Sequence, residues 1–161
     1  MVDADAGLEQ ALATAYRYLN QRERTQSEMR AHLERKGIGS RDVERSIGVL
    51  VEQGQLDDSR FARLFVQDRR ELDEWGGDRI RQVLRSRGVD PDVVEEALAG
   101  HEQDSGSEID RALALLRRRF PSPPRDRRER DRALGVLLRK GFEPELALDA
   151  IAAHAKNLDA A

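Results

Sequence analysis

The sequence predicts an all-α fold of three tandem three-helix repeats, helix-turn-helix-like and extended rather than spherical. Three observations predict it. One unit of 19 residues recurs three times without a gap. No stretch alternates apolar and polar residues for long enough to make a half-buried strand. Finally, 37% of the 161 residues are charged, 39% are apolar and only 4% are aromatic. That balance suits a thin helical array with much surface per residue better than a sphere with one large core.

The recurring unit is MRAHLERKGIGSRDVERSI from Met29, IRQVLRSRGVDPDVVEEAL from Ile80 and ALGVLLRKGFEPELALDAI from Ala133. Met29/Leu33, Ile80/Leu84 and Ala133/Leu137 are spaced i, i+4, so each pair shares one helix face. A base follows (Lys36, Arg87, Lys140), where it meets the negative end of the helix dipole. Gly37, Gly88 and Gly141 come next, at intervals of 51 (88 − 37) and 53 (141 − 88). They are predicted helix stops in the left-handed conformation that glycine adopts cheaply. Ile38, Val89 and Phe142 then fold back on the last turn, and a new helix begins. Pro91 and Pro144 fall at first helical positions, and Ser40 is the expected cap in the first copy.

Each unit has a helix upstream. The first spans about Leu8 to Arg22, with Leu12, Ala15, Tyr16 and Leu19 on its stripe. The second starts near Asp57 with Phe61, Leu64, Phe65 and Arg69 on one side, and the third starts near Ser107 with Ile109, Ala112, Leu113 and Leu116. Thr25-Gln26-Ser27-Glu28 is a capping box. Asp57 and Asp58 are expected to cap the helix beginning DDSRFARLF, and Phe61, Ala62 and Phe65 to enter the core. The repeats are therefore placed at 8–56, 57–100 and 107–155, with flexible tails at 1–7 and 156–161. Flexible joints are expected at GHEQDSGS (100–107) and PSPPRD (121–126).

Several function classes are excluded. There is no cysteine, hence no disulfide framework or thiolate chemistry. The start MVDADAGLEQ is acidic and is not expected to be a secretory signal, and no apolar run is long enough to span a bilayer. His32, His101 and His154 are far apart, lack ligand partners at metal spacing and are expected on the surface. GGDR is too short for a phosphate loop and lacks the Lys-Ser/Thr end. No nucleophile–base–orienter set can be assembled, so no enzyme activity, cofactor or metal is expected.

The net charge of −3 conceals an uneven distribution. Asp92 to Asp110 holds seven acids and no Lys or Arg, whereas Arg111 to Lys140 holds eleven bases against three acids. The basic stripe is either a contact for phosphate or an acidic protein groove, or a solvated helix face.

The stretches LDDSRFARLFVQDRR (Leu56 to Arg70) and GGDRIRQVLRSRGVD (Gly76 to Asp90) resemble the core signature of the RecX family. RTQSEMRAHLERKGI, VLVEQGQLDD and the closing LLRKGFEPELALDAI extend the resemblance over about residues 11 to 153. The resemblance implies a curved, elongated row of three modules. It further implies a cytoplasmic regulator that lodges in the groove of the RecA recombinase filament on DNA. There it would suppress filament growth, ATP hydrolysis, strand exchange and repressor self-cleavage. A monomer with at most weak DNA contact of its own is expected. The loop LDEWGGDR departs from the family pattern by carrying Trp75, either a surface anchor or a packing residue between modules.

Candidate partner contacts are Arg69, Arg79, Arg81, Arg85 and Arg87 in the second repeat. Arg81 and Arg85, at i, i+4, are expected to be exposed together, either as an interface or as a solubilising face. In the third repeat the densest run includes Arg117, Arg118, Arg125, Arg127 and Arg128. The competing function is direct DNA binding through helix-turn-helix-like units.

Overall fold

The structure, a computed structural model, describes residues 2–159, with side chains described over residues 4–156. The described residues form nine helices and no strand: α1 (Val2–Leu19), α2 (Gln26–Arg35), α3 (Ser40–Glu52), α4 (Asp58–Leu72), α5 (Gly77–Ser86), α6 (Pro91–Ser105), α7 (Glu108–Arg119), α8 (Arg127–Lys140) and α9 (Pro144–Asp159). They are the three tandem three-helix repeats, α1–α3, α4–α6 and α7–α9.

The three turns have the same construction. Gly37, Gly88 and Gly141 have φ of 80°, 81° and 93°. The N–H groups of Ile38, Val89 and Phe142 donate to the carbonyls of Leu33, Leu84 and Leu137, each at 3.1 Å. This back-bond satisfies a carbonyl that the ending helix leaves without a partner. Pro91 and Pro144 open α6 and α9, where a missing N–H costs nothing.

Helix starts differ from expectation in detail. Thr25 Oγ1 accepts from the Glu28 N–H at 3.1 Å and Ser107 Oγ from the Asp110 N–H at 3.3 Å. Asp57 caps its own helix by accepting the Arg60 N–H at 3.0 Å. Asp58 instead accepts the Gln26 N–H at 2.9 Å, so it caps α2 from a different helix. Burial, opposed by that hydrogen bond, raises the Asp58 carboxyl above its ordinary range. Ser40 is not a cap: Gly39 holds that position with no side-chain bond, and Ser40 is the first helical residue. Asp126 caps α8 by accepting the Glu129 N–H at 2.9 Å, which the sequence treated as part of a loose joint.

Helices also run further than expected. α1 begins at Val2 rather than Leu8, α6 continues to Ser105 through much of the 100–107 segment, and α9 reaches Asp159. The remainder of the expected tails, Met1 and 160–161, lies outside the described residues.

The chain packs as two compact units, Met1–Ala62 with Leu84–Val94 and Arg63–Val83 with Glu95–Ala161. In the first, Ala15, Met29, Leu33, Val43, Ile47, Leu50 and Leu56 form a buried core with Leu12, Tyr18, Leu19 and Ile38 packed on it. In the second, Ala112, Leu115, Leu116, Ala133, Val136, Leu137, Phe142, Ala147, Ala150 and Ile151 do so. Truncating a fully buried leucine such as Leu33 or Leu137 to alanine costs about 2–5 kcal/mol in such a setting.

Two predicted stripes are rotated. Tyr16 is exposed while Ala11 and Ala15 are buried. In α4 the buried line is Phe61, Ala62, Val66 and Arg70; Leu64 is exposed and Phe65 only half-buried.

Candidate functional site

Three acids of the segment 92–110, Glu95, Glu102 and Glu108, face arginines of the same chain. Glu95 accepts two bonds from Arg81, at 2.6 and 3.3 Å, while Asp78 takes a third at 3.0 Å. The Glu95 carboxylate holds the Arg81 guanidinium above its ordinary value. Arg81 is therefore half-buried and committed, whereas Arg85 is exposed and makes no ion pair among the described residues. The expected joint exposure of Arg81 and Arg85 does not hold.

Arg69 pairs with Asp73 and lies 5.7 and 5.8 Å from the centres of the Phe65 and Trp75 rings. Arg79 sits 4.1 Å over Trp75 and donates to the Arg139 carbonyl at 3.3 Å. Arg87 pairs with Glu28 at 3.1 Å and lies 4.8 Å over Phe61. Four of the five candidate arginines of the second repeat thus have internal partners, Arg79 while itself exposed, and Arg85 is exposed with no ion pair among the described residues.

The third repeat is different. Arg117, Arg125, Arg127 and Arg128 are exposed and in no ion pair among the described residues. Arg118, also exposed, pairs with Glu74. Arg127 and Arg128 stand in the first turn of α8, where the helix dipole opposes positive charge. Asp126 and Glu129 offset that locally, yet neither holds a guanidinium.

The most buried cation is one the sequence pattern did not single out. Arg70 is 4% exposed, on the apolar line of α4. Its guanidinium donates to the Leu98 carbonyl at 3.2 Å, lies 3.2 Å from His101 Nδ1 and faces Glu102 and Glu108 at 3.6 and 3.7 Å. Arg111 reaches the same His101 nitrogen at 2.9 Å. Burial first, then Arg111 and Arg70, push the His101 imidazole below its ordinary value, and burial lowers both arginines. Arg70 and Arg111 also line a cavity of about 180 Å³ with Glu74, Trp75, Ala114 and Phe142. Trp75 is edge-on to Phe65 of its own repeat with ring centres 6.1 Å apart, and it lines the cavity together with Ala114 and Phe142 of the third repeat. His154 is buried as well, its Nε2 2.8 Å from the Phe120 carbonyl, against the expectation of a surface residue. An arginine at one i+4 step from Val66 is the only sequence signal that would have marked Arg70, and it looks like any solvated arginine.

Two joints between modules use one architectural rule. In the first unit, Thr25 Oγ1 donates to the Arg87 carbonyl at 2.7 Å and Ser27 Oγ to the Gly88 carbonyl at 3.1 Å. In the second unit, the Gly76 N–H donates to the Lys140 carbonyl at 2.7 Å and the Asp78 N–H to the Gly141 carbonyl at 3.0 Å. Lys140 Nζ adds a bond to the Asp73 carbonyl at 2.8 Å. Each time, the start of one module's second helix grips the glycine turn that ends the next module's second helix. A Cβ on Gly88 would overlap Ser27, one on Gly141 would overlap Arg79, and one on Gly76 would lie 2.5 Å from the Gly141 and Phe142 backbone. Gly76 is thus needed for close backbone approach, which gives the GGDR motif a structural use.

Among the described residues no three His, Cys, Asp or Glu side chains are grouped to hold a metal ion, and no helix is long and apolar enough to cross a membrane. What the surface offers is charge on helices: a set of outward arginines suited to carboxylate or phosphate.

Family models for the first, second and third three-helix domains of RecX match residues 11–49, 57–98 and 107–151. A "Regulatory protein RecX" from Halorhodospira halophila is 38% identical over 154 residues, covering 95% of this chain and 93% of the relative. Another from Mycobacterium sp. (strain JLS) is 35% identical over 149 residues, covering 89% and 80%. The crystal structure of RecX from Lactobacillus salivarius has the same fold, with a TM-score of 0.79 at 20% identity over 93% of this chain and 97% of that one.

Proposed function

The chain belongs to the RecX family of regulatory proteins, and from that membership we propose that it is a negative regulator of the RecA recombinase. It binds in the groove of the RecA–DNA filament and obstructs filament growth, ATP hydrolysis, strand exchange and repressor co-cleavage. It acts in the cytoplasm as a monomeric binding protein, without catalysis or a cofactor.

The observation that carries the proposal is the outward arginine set Arg117, Arg125, Arg127 and Arg128, free of internal ion pairs among the described residues. Opposed to an acidic partner surface, these groups form bidentate pairs without first breaking a native one. Arg85 is a further contact of the same kind. Arg69, Arg79, Arg81 and Arg87 contribute by holding the modules in shape.

The deciding experiment titrates the protein at substoichiometric ratios into RecA hydrolysing ATP on single-stranded DNA. Inhibition well below one chain per RecA protomer supports action on filament assembly. No inhibition at excess, with RecA from the same source, removes the proposal. Direct DNA binding is the second reading, favoured by the same unpaired arginines. It requires tight binding to bare DNA with a steep salt slope, which the net charge of −3 opposes.

A further inference from the structure

The joints described above leave one turn over. Three glycine turns share one geometry, and two are gripped by the start of another module's second helix. In the third, Lys36-Gly37-Ile38, the lysine and glycine are exposed and Ile38 is half-buried, and a Cβ built on Gly37 meets nothing within 4 Å. The second helix of the third repeat does not begin in the same form as α2. Aligned on Met29 and Ala133, α2 starts at Gln26 with its cap one residue before, whereas α8 starts at Arg127, a turn earlier than the equivalent Arg130. The positions equivalent to Thr25 and Ser27 are Glu129 and Asp131, both already inside α8.

Beside the open turn lies a groove of about 510 Å³, lined by Arg17, Tyr18, Gln21, His32, Lys36 and Ile38 and by no carboxylate. Neither Arg17 nor Lys36 is in an ion pair among the described residues. Tyr18 stacks flat on His32 with ring centres 3.7 Å apart, and Arg24 lies 3.7 Å over Tyr18. Burial first, and then the neighbouring cations Lys36, Arg35 and Arg24, push His32 below its ordinary value.

We propose that the Lys36-Gly37-Ile38 turn and the adjoining basic groove are a docking site for a partner protein's acidic helix N-terminus. The chemistry of the occupant is set by the filled joint. There Thr25 and Ser27 hydroxyls donate to the Arg87 and Gly88 carbonyls, and the Glu28 carboxylate pairs with the Arg87 guanidinium at 3.1 Å. The open turn presents the corresponding carbonyls of Lys36 and Gly37 and the ammonium of Lys36. It therefore fits a Thr/Ser-x-Ser-Glu helix start, with further carboxylates along the helix meeting Arg17 in the groove. This site is made of first-repeat residues, none of them among the outward arginines of the third, and does not depend on RecA being the regulated protein.

The test uses the full-length ¹⁵N-labelled chain and an acetylated peptide beginning Thr-Gln-Ser-Glu and continuing as an alanine- and glutamate-rich helix. Because the filled joints are intramolecular, with effective concentrations on the order of millimolar, the free peptide is titrated to about 5 mM. The expected result is saturable shifts in the amides of Lys36 to Gly39 and of Arg17 and Tyr18. Binding weakens about tenfold in Lys36→Glu, and about tenfold when the peptide's Thr, Ser and first Glu become Ala while its other glutamates stay. Absence of these shifts, or equal shifts with the alanine peptide, overturns the proposal. So does a twelve-residue oligo-dT that moves the same amides when the peptide does not, which would assign the groove to phosphate.

Discussion

Ser27 and Gly88 meet with no room for a methyl group between them. The Ser27 hydroxyl donates to the Gly88 carbonyl at 3.1 Å, and a Cβ on Gly88 would overlap the Ser27 side chain. At Gly37 the same backbone conformation occurs in open space.

The two glycines therefore separate backbone strain from crowding. Gly37→Ala is expected to cost about 1 kcal/mol, the left-handed penalty alone. Gly88→Ala adds overpacking and is expected to cost about 2–4 kcal/mol. Urea unfolding of both variants checks this through the shift in midpoint at constant slope; equal losses would show that the Ser27 contact yields freely.

Arg70 is expected to be structural and indispensable. Arg70→Met removes the donor to Leu98 and leaves Glu108, whose side chain is 13% exposed, with one cation fewer. A loss of about 2–4 kcal/mol follows, less than for a fully buried pair because Glu102 is 42% exposed. Arg85→Met, on the exposed side of α5, is expected to change stability little, and the two midpoints measured together test the assignment.

The His101 site makes stability depend on pH. Arg70 and Arg111 face Nδ1, while Glu71 lies 3.9 Å from Nε2 and Asp104 acts in the same sense from α6. The folded-state value lies below the ordinary one of about 6.5, so between the two the unfolded chain binds more protons. Stability is thus full above about pH 6.5, falls as pH drops towards the folded value and levels off below it. His32 is shifted in the same direction and adds to the decline. His101→Gln is expected to flatten the fall in unfolding free energy between pH 7 and pH 5; an unchanged profile would assign the fall to other groups.

Arg127 and Arg128 allow a partner contact to be tested without threatening the fold. Both stand in the first turn of α8, where acidic side chains are favoured by the helix dipole. Arg127→Glu with Arg128→Glu is expected to leave thermal stability equal or raised while weakening RecA inhibition about tenfold. Full inhibition by a stably folded double variant would take the α8 start out of the interface. The corresponding change at Arg81 is less informative, because it breaks the Glu95 and Asp78 pairs within the chain.

Much of the fold is local and was legible for that reason. Leu84, Arg87, Gly88 and Val89 lie within six residues, and the back-bond they form depends on helix geometry and glycine's φ alone. The capping box at Thr25 and the prolines opening α6 and α9 are equally local. Where a cap came from a distance the pattern failed: Asp58 looks like a cap for its own helix, and it serves α2.

The candidate site was legible only as composition. A run of arginines around 117–132 is visible in the sequence, but which charges remain outward depends on where the acids land. Glu95 reached Arg81 and Glu28 reached Arg87 across 14 and 59 residues, so those arginines are held within the fold, while Arg117, Arg127 and Arg128 met no such partner among the described residues.

By itself, then, the sequence determined the helices, their glycine stops and the threefold repetition, because these follow from periodicity and backbone sterics within a few residues. Only the tertiary structure decided that Arg70 is buried, that Gly88 and Gly141 are gripped while Gly37 stands open, and which arginines face outward. Those outcomes depend on which side chains meet across long sequence separations, where neither spacing nor propensity carries information about the partner.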